Sequence, residues 1–322
     1  MVKLKLELIC FVALSFNALH LYGQIDTSSH TVQFVTVDQG VKLEVLNWGG
    51  TGTPLVFLAG MGNTAHGFDS FAPKFTAKYH VYGITRRGFG ISSKPVPAGA
   101  NYTADRLGDD VLAVIDALKL NRPVLVGHSL AGEEMSSVGS RYPRKVAGLI
   151  YLEAASSFAF YDPAHPQMEI EMNDLKRRIE RIEAGGIDEK KALLELEASV
   201  SHFDKILHDS NLGVASMPPL PPRTPIQAAL NFGVQKYTSI PVPILAIFAC
   251  PHNWDRAFQN DPAMKARRLA ADSASCSAQA DAFAAGVPSA HVVRIPGADH
   301  YIFNSNENDV VREMNTFLSK LP

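Results

Sequence analysis

Six short runs of the chain are largely apolar: residues 54–58, 80–84, 123–126, 147–152, 243–248 and 291–295. Helix-like stretches lie between most of them, such as 104–118, and another at 307–318 follows the last run. A strand that is apolar on both faces needs cover on both faces. Strands that alternate with helices are joined by crossovers and lie parallel. The pattern therefore predicts an α/β fold with a mostly parallel, doubly wound sheet. Residues 31–37 and 41–47, around Asp38-Gln39-Gly40, read as an antiparallel pair ahead of it.

Residues 157–237 break the rhythm, because no core strand is visible there. Met168, Met172, Leu175, Ile179 and Ile182 recur every three or four positions, which is one face of a helix, and Gly185-Gly186 ends it. A second helix is expected over 187–207, and Pro218-Pro219-Leu220-Pro221-Pro222 reads as a stiff connector. The segment is expected to be a helical cap inserted into a core made of 24–156 and 238–322. At the N-terminus, Lys3 and Lys5 precede an apolar stretch from Leu8 to Leu21, and Gly23 stands at a plausible cleavage point. That stretch is shorter than the ~20 residues a membrane span needs. Residues 1–23 are therefore read as a secretory signal peptide, implying a secreted or periplasmic protein with no stable membrane anchor after its removal. Cys250 and Cys276 would then remain, as one disulfide or two buried thiols.

The chemistry is concentrated in Pro123-Val-Leu-Val-Gly-His-Ser129-Leu-Ala-Gly132, where an apolar run enters a tight turn and a helix follows. In such a turn the residues two before and two after the serine approach each other and must be small; Gly127 and Ala131 are. The free N–H groups of the following helix favour negative charge, so the Leu130 N–H is a candidate oxyanion donor. A serine that merely caps the helix would be the bland alternative. These residues resemble the nucleophile elbow of the α/β-hydrolase superfamily, G-x-S-x-G, with alanine at the last position.

The resemblance implies further roles. A second oxyanion N–H is expected from the glycine-rich turn Ala59-Gly60-Met61-Gly62, with Met61 as donor. Arg87-Gly88-Phe89-Gly90-Ile91-Ser92 is similar to the superfamily's R-G-x-G-x-S turn, with Thr85 where aspartate is frequent. His300, after the last strand, is implied as general base; a neutral imidazole takes a proton readily near pH 7. The side chain of His128 is expected to point away from Ser129. The acid is where the sequence departs, since the usual slot falls near His252. Two alternatives remain: Glu153, at the end of the 148–152 strand, and Asp255, three residues beyond His252. Glu153 is favoured by chain order and by its position beside the elbow. Glu133 and Glu134 are assigned no chemistry beyond favouring a helix start.

The implied activity is hydrolysis of an ester or related acyl bond through an acyl-enzyme. The expected partner is a small molecule with an apolar acyl part. A formal net charge of −2 gives no basic face for nucleic acid. No metal or organic cofactor is called for: there is no HExxH motif and no phosphate-binding glycine loop. Acyl transfer, carbon–carbon bond hydrolysis or a lyase reaction suit the same scaffold. A ligand sensor with vestigial turnover is the alternative from another class. Oligomeric state stays open.

Overall fold

The computed structural model describes residues 29–156, 158–163, 166–210 and 222–322. The expected signal peptide, 1–23, and residues 218–221 of the proline connector lie outside them. Eight strands are formed: β1 (Thr31–Asp38), β2 (Val41–Gly49), β3 (Pro54–Leu58), β4 (His80–Ile84), β5 (Val124–His128), β6 (Gly148–Leu152), β7 (Ile244–Ala249) and β8 (Ala290–Ile295). They make one sheet in the order β1-β2-β4-β3-β5-β6-β7-β8. β2 pairs antiparallel with both β1 and β4, and the strands from β4 to β8 are parallel.

The continuous apolar runs have a direct explanation. Along β7, Ile244, Ala246 and Phe248 enter one core, while Leu245, Ile247 and Ala249 enter the other. β6 alternates likewise, with Leu149 and Tyr151 on one side and Ile150 and Leu152 on the other. Val111 and Val114 of α1 (Ala104–Ala117) and Met135 and Val138 of α2 (Ala131–Arg141) fill the first core. The second is packed by a phenylalanine cluster, Phe57, Phe68, Phe71, Phe75 and Phe303. Burying one such ring contributes roughly 1.5–3 kcal/mol.

Between β6 and β7 the described residues hold helices and no strand. α3 (Met168–Glu183) and α4 (Glu189–Ser210) pack together, and α5 (Pro225–Phe232) follows. Gly185 and Gly186, with φ of 70° and 73°, terminate α3 in a conformation other residues avoid. Thr224 and Gln227 form a reciprocal capping box at the start of α5. The spacing of Met168 to Ile182 does mark a helix, but its apolar face is not the buried one: Met172 and Ile179 are 42% and 44% exposed. The buried positions are Ile170, Glu171 and Asn173. Glu171 is anchored by the Tyr161 hydroxyl at 2.5 Å and Lys236 Nζ at 2.8 Å, and Asn173 donates to the Asn231 carbonyl at 3.0 Å. Polar anchoring outcompetes the apolar stripe. After β7 come α6 (Pro262–Gly286), α7 (Ile302–Ser305) and α8 (Glu307–Leu318). No helix among the described residues is long and apolar enough to cross a membrane.

Candidate active site

The register of the sheet builds the site. His128 lies opposite Leu152 in the β5–β6 pair, so the next residues, Ser129 and Glu153, leave adjacent strands at the same level. Both sit in the left-handed region, with φ of 53° and 52°. Side chains other than glycine seldom adopt it, and each residue is held there by a sheet hydrogen bond. The Ser129 N–H donates to the Leu152 carbonyl at 3.2 Å, and the Glu153 N–H to the Ile247 carbonyl at 2.9 Å.

The small residues around the elbow are there for space. A Cβ at Gly127 would stand 2.6 Å from Met135 Cε and 3.0 Å from Ala131 Cβ. One at Gly60 would stand 3.1 Å from Ser129 Cβ and 2.9 Å from His128 Nδ1, so the turn carrying Met61 presses directly on the elbow. One at Gly132 would stand 1.9 Å from the Ala154 carbonyl oxygen, which lets the start of α2 dock against the β6 exit.

The loop after β8 brings His300 back over these ends. Its Nε2 is 3.0 Å from Ser129 Oγ, and its Nδ1 is 3.3 Å from Glu153 Oε2. Glu153 Oε1 accepts the Ala249 N–H at 2.5 Å. Burial opposes ionisation of Glu153, but hydrogen bonds from His252 and His300 outweigh it and bring its pKa down to about 2. The carboxylate is thus charged across the physiological range.

His128 is tied to the loop that carries His300. Its Nε2–H donates to the His300 carbonyl at 2.9 Å, and its ring packs on His300, Tyr301 and Phe303. Burial drives its pKa down to about 3, so it is a neutral ring. Asp255 stands elsewhere. Its side chain is 70% exposed and ion-paired with Lys265 of α6. The alternative acid is therefore not brought to the site, because the loop after β7 sends it outward to α6.

The backbone N–H groups of Met61 and Leu130 have no hydrogen-bond acceptor among the described residues. The turn behind Met61 is fixed by Arg86, whose role local sequence does not reveal. Its guanidinium grips Glu134 of α2 through two bonds of 2.8 and 2.9 Å and donates to the Ala59 carbonyl at 2.8 Å. Glu134 therefore ties both sides of the candidate oxyanion hole together. The bidentate pairing is sterically specific, and Arg is suited to it. Glu133, also buried, has no partner for either oxygen, and burial pushes its pKa well above the usual carboxylate range.

Among the described residues two clusters bring metal-capable atoms within 4.8 Å of one another: Glu153, His252 and His300 in the site, and His30, His66 and Asp69 elsewhere. In the first both histidines hydrogen-bond Glu153, and in the second His66 hydrogen-bonds Asp69 while His30 Nδ1 lies 3.5 Å from it. An open cleft of about 440 Å³ at the junction of α1, α2 and α3, lined by Asp105, Arg141, Arg177 and Lys236, contains none of the residues just described.

The profile of the α/β-hydrolase family matches residues 55–313, which takes in the elbow and every residue placed around it. The chain belongs to this family. Among α/β-hydrolases it is similar to the fluoroacetate dehalogenase of a Burkholderia species, 30% identical over 116 residues, 35% of this chain and 38% of the relative. The putative carbamate hydrolase RutD of Caulobacter segnis is 30% identical over 122 residues, 38% of this chain and 45% of that one. The matched segment spans less than half the length of these relatives. At the level of fold, the solved E-2-(acetamidomethylene)succinate hydrolase covers 90% of this chain with all of its own, at a TM-score of 0.56 and 19% identity. A thermophilic esterase from Thermogutta terrifontis covers 91% of this chain with 98% of its own, at the same TM-score and identity.

Proposed function

We propose that this α/β-hydrolase is a serine hydrolase that cleaves an ester or related acyl bond through a covalent acyl-enzyme. The observation that carries the reading is the unbroken line Ser129 Oγ to His300 Nε2, 3.0 Å, and His300 Nδ1 to Glu153 Oε2, 3.3 Å. Ser129 attacks the carbonyl while His300 takes its proton. The ionised Glu153 orients the imidazole and balances the charge it acquires. The Met61 and Leu130 N–H groups receive the oxyanion, each worth on the order of 3 kcal/mol in the transition state. His300 then protonates the leaving group and activates the water that releases the acyl product.

The dehalogenase and the epoxide hydrolases among the relatives handle other bonds. Family members that do so use an aspartate nucleophile, and this chain has Ser129 at that position, which favours acyl chemistry. The side chains of Met61 and Leu130 join an apolar cluster with Phe89 and with Ile226, Ala229 and Leu230 of α5. That arrangement supports residues 157–237 as a cap over the site and an apolar acyl part in the substrate. The N-terminal pattern of Lys3, Lys5 and the following apolar stretch supports export to a secreted or periplasmic location.

The test is hydrolysis of chromogenic esters of increasing acyl length by wild type and Ser129→Ala. Turnover should fall about 10⁵–10⁶-fold in the variant, the scale for removing a triad nucleophile. Equal turnover by both proteins, or none on any ester by the folded wild type, contradicts the proposal.

A further inference from the structure

The acid at the β6 exit serves two histidines. Glu153 Oε2, the oxygen facing His300, is also 2.9 Å from His252 Nε2, which is closer than His300 itself. On its other side His252 Nδ1 lies 3.0 and 3.2 Å from the two oxygens of Asp272 on α6, and its backbone N–H donates to Asp272 at 2.7 Å. Each ring nitrogen of His252 therefore faces a carboxylate, which can only accept. Both nitrogens must carry hydrogen, so His252 is an imidazolium. His300 differs: its Nε2 faces a hydroxyl that can donate, so a neutral ring satisfies both of its contacts.

We propose that His252, clamped between Glu153 and Asp272, is a positioning residue of the hydrolytic site, fixing the Glu153 oxygen that receives His300 and offsetting its charge. The proposal rests on the serine-hydrolase reading above. It extends the line of three side chains to five: Ser129, His300, Glu153, His252 and Asp272. The need for it is local. Glu153 sits at φ 52° at a strand end, so its side-chain direction depends on its donors, which are the Ala249 N–H, His300 and His252. Of these His300 changes its charge in each cycle as Nε2 gains and loses a proton, while the other two stay as they are.

The loop carrying His252 is stitched in place. The Gly297 N–H donates to the Pro251 carbonyl at 2.8 Å and the Asn253 N–H to the Ala298 carbonyl at 2.9 Å, just ahead of His300. A disulfide joins Cys250, two residues before His252, to Cys276 of α6, one turn beyond Asp272, with Cα atoms 5.6 Å apart. The charged groups around the ring are Glu153, Asp272 and, across Glu153, His300. Trp254 lies at 6.3 Å, and Arg268 stacks on its outer face. Burial lowers the pKa of His252, but its hydrogen bonds to Asp272 and Glu153 outweigh this and raise it to about 10, in agreement with the geometry.

The arrangement predicts shifts of opposite sign. Removing the cation leaves two carboxylates behind His300 and makes its protonation easier. Removing Asp272 leaves Glu153 balanced by His252 and makes it harder. The experiment is the pH profile of kcat and kcat/KM on a chromogenic ester for wild type, His252→Gln, which keeps a donor without the charge, and Asp272→Asn. His252→Gln should lower kcat about 10–100-fold, the scale for an outer partner that orients a working ligand. Its KM should stay within about twofold, and its acid limb should move up by roughly one pH unit. The limb of Asp272→Asn should move down. Limbs that stay put, or move the same way in both variants, overturn the proposal even if kcat falls. Should His252→Gln fail to fold, the direction of the Asp272→Asn limb decides alone. Fluorophosphonate labelling of Ser129 in the wild type keeps the two readings apart. An unlabelled serine counts against the hydrolase reading itself, and a labelled serine with unmoved limbs counts only against the role of His252.

Discussion

The exits of β5 and β6 are twins in backbone and opposites in support. Ser129 and Glu153 leave neighbouring strands at one level, with φ of 53° and 52°. At the β5 exit the room to turn comes from residues close by, Gly127 and Ala131. The β6 exit is held by partners far along the chain, with His252 99 residues away and His300 147. A nucleophile needs exposure and a strained turn that local sequence supplies. A buried carboxylate needs donors, because leaving it unpaired costs several kcal/mol, and here those donors come from other strand ends.

The comparison can be broken first at Glu153. If Glu153 is the acid proposed above, Glu153→Gln, which keeps the shape and loses the charge, should lower kcat by roughly 10³–10⁴-fold, the scale for a triad acid. Asp255→Asn should leave kcat within about twofold, since its carboxylate is exposed and engaged with Lys265. Steady-state kinetics of the two variants side by side would check both. The reverse result would move the acid to the loop after β7.

The join between the exits gives a smaller effect. At Gly132 an added Cβ meets the rigid Ala154 carbonyl at 1.9 Å, whereas at Gly127 it meets the movable end of Met135 at 2.6 Å. Gly132→Ala should cost about 1–3 kcal/mol of stability as overpacking, and Gly127→Ala less. Thermal denaturation of both variants measures the ordering. Equal losses would mean that α2 and the β6 exit are not in tight register.

The smallest effect is electrostatic. The folded pKa of His252 is raised to about 10 from 6.5, so its contribution to stability is complete below 6.5 and disappears as pH rises through about 10. Glu153 is the mirror case, depressed to about 2 from 4.5: its contribution is present above 4.5 and disappears as pH falls through about 2. The Tm advantage of wild type over His252→Gln should therefore shrink between neutral pH and pH 10. A constant difference would mean that His252 is not the cation the geometry describes.

What could be read from the sequence follows the same divide. The parallel strands were legible because burial on both faces writes continuous apolar runs, and the elbow because a tight turn writes small residues at fixed offsets. His300 was legible from its place after the last strand. Glu153 could be favoured but not separated from Asp255, since a choice of acid depends on sheet register and on which loop folds inward. The roles of His252 and Asp272 were out of reach, because their meaning lies in a contact between α6 and two strand ends. Arg86 was missed for a like reason: its partners, Glu134 and the Ala59 carbonyl, lie 48 and 27 residues away. On α3 the apolar spacing marked the helix but not its buried face, where Glu171 and Asn173 are held by hydrogen bonds.

That the two exits act as one device is tested most directly by the rate at which a fluorophosphonate labels Ser129, followed by peptide mass mapping, in wild type, Glu153→Gln and Asp255→Asn. A single adduct on Ser129 is predicted, formed about 10³-fold more slowly in Glu153→Gln and at the wild-type rate in Asp255→Asn. Labelling of another residue, or an unchanged rate in Glu153→Gln, would contradict it.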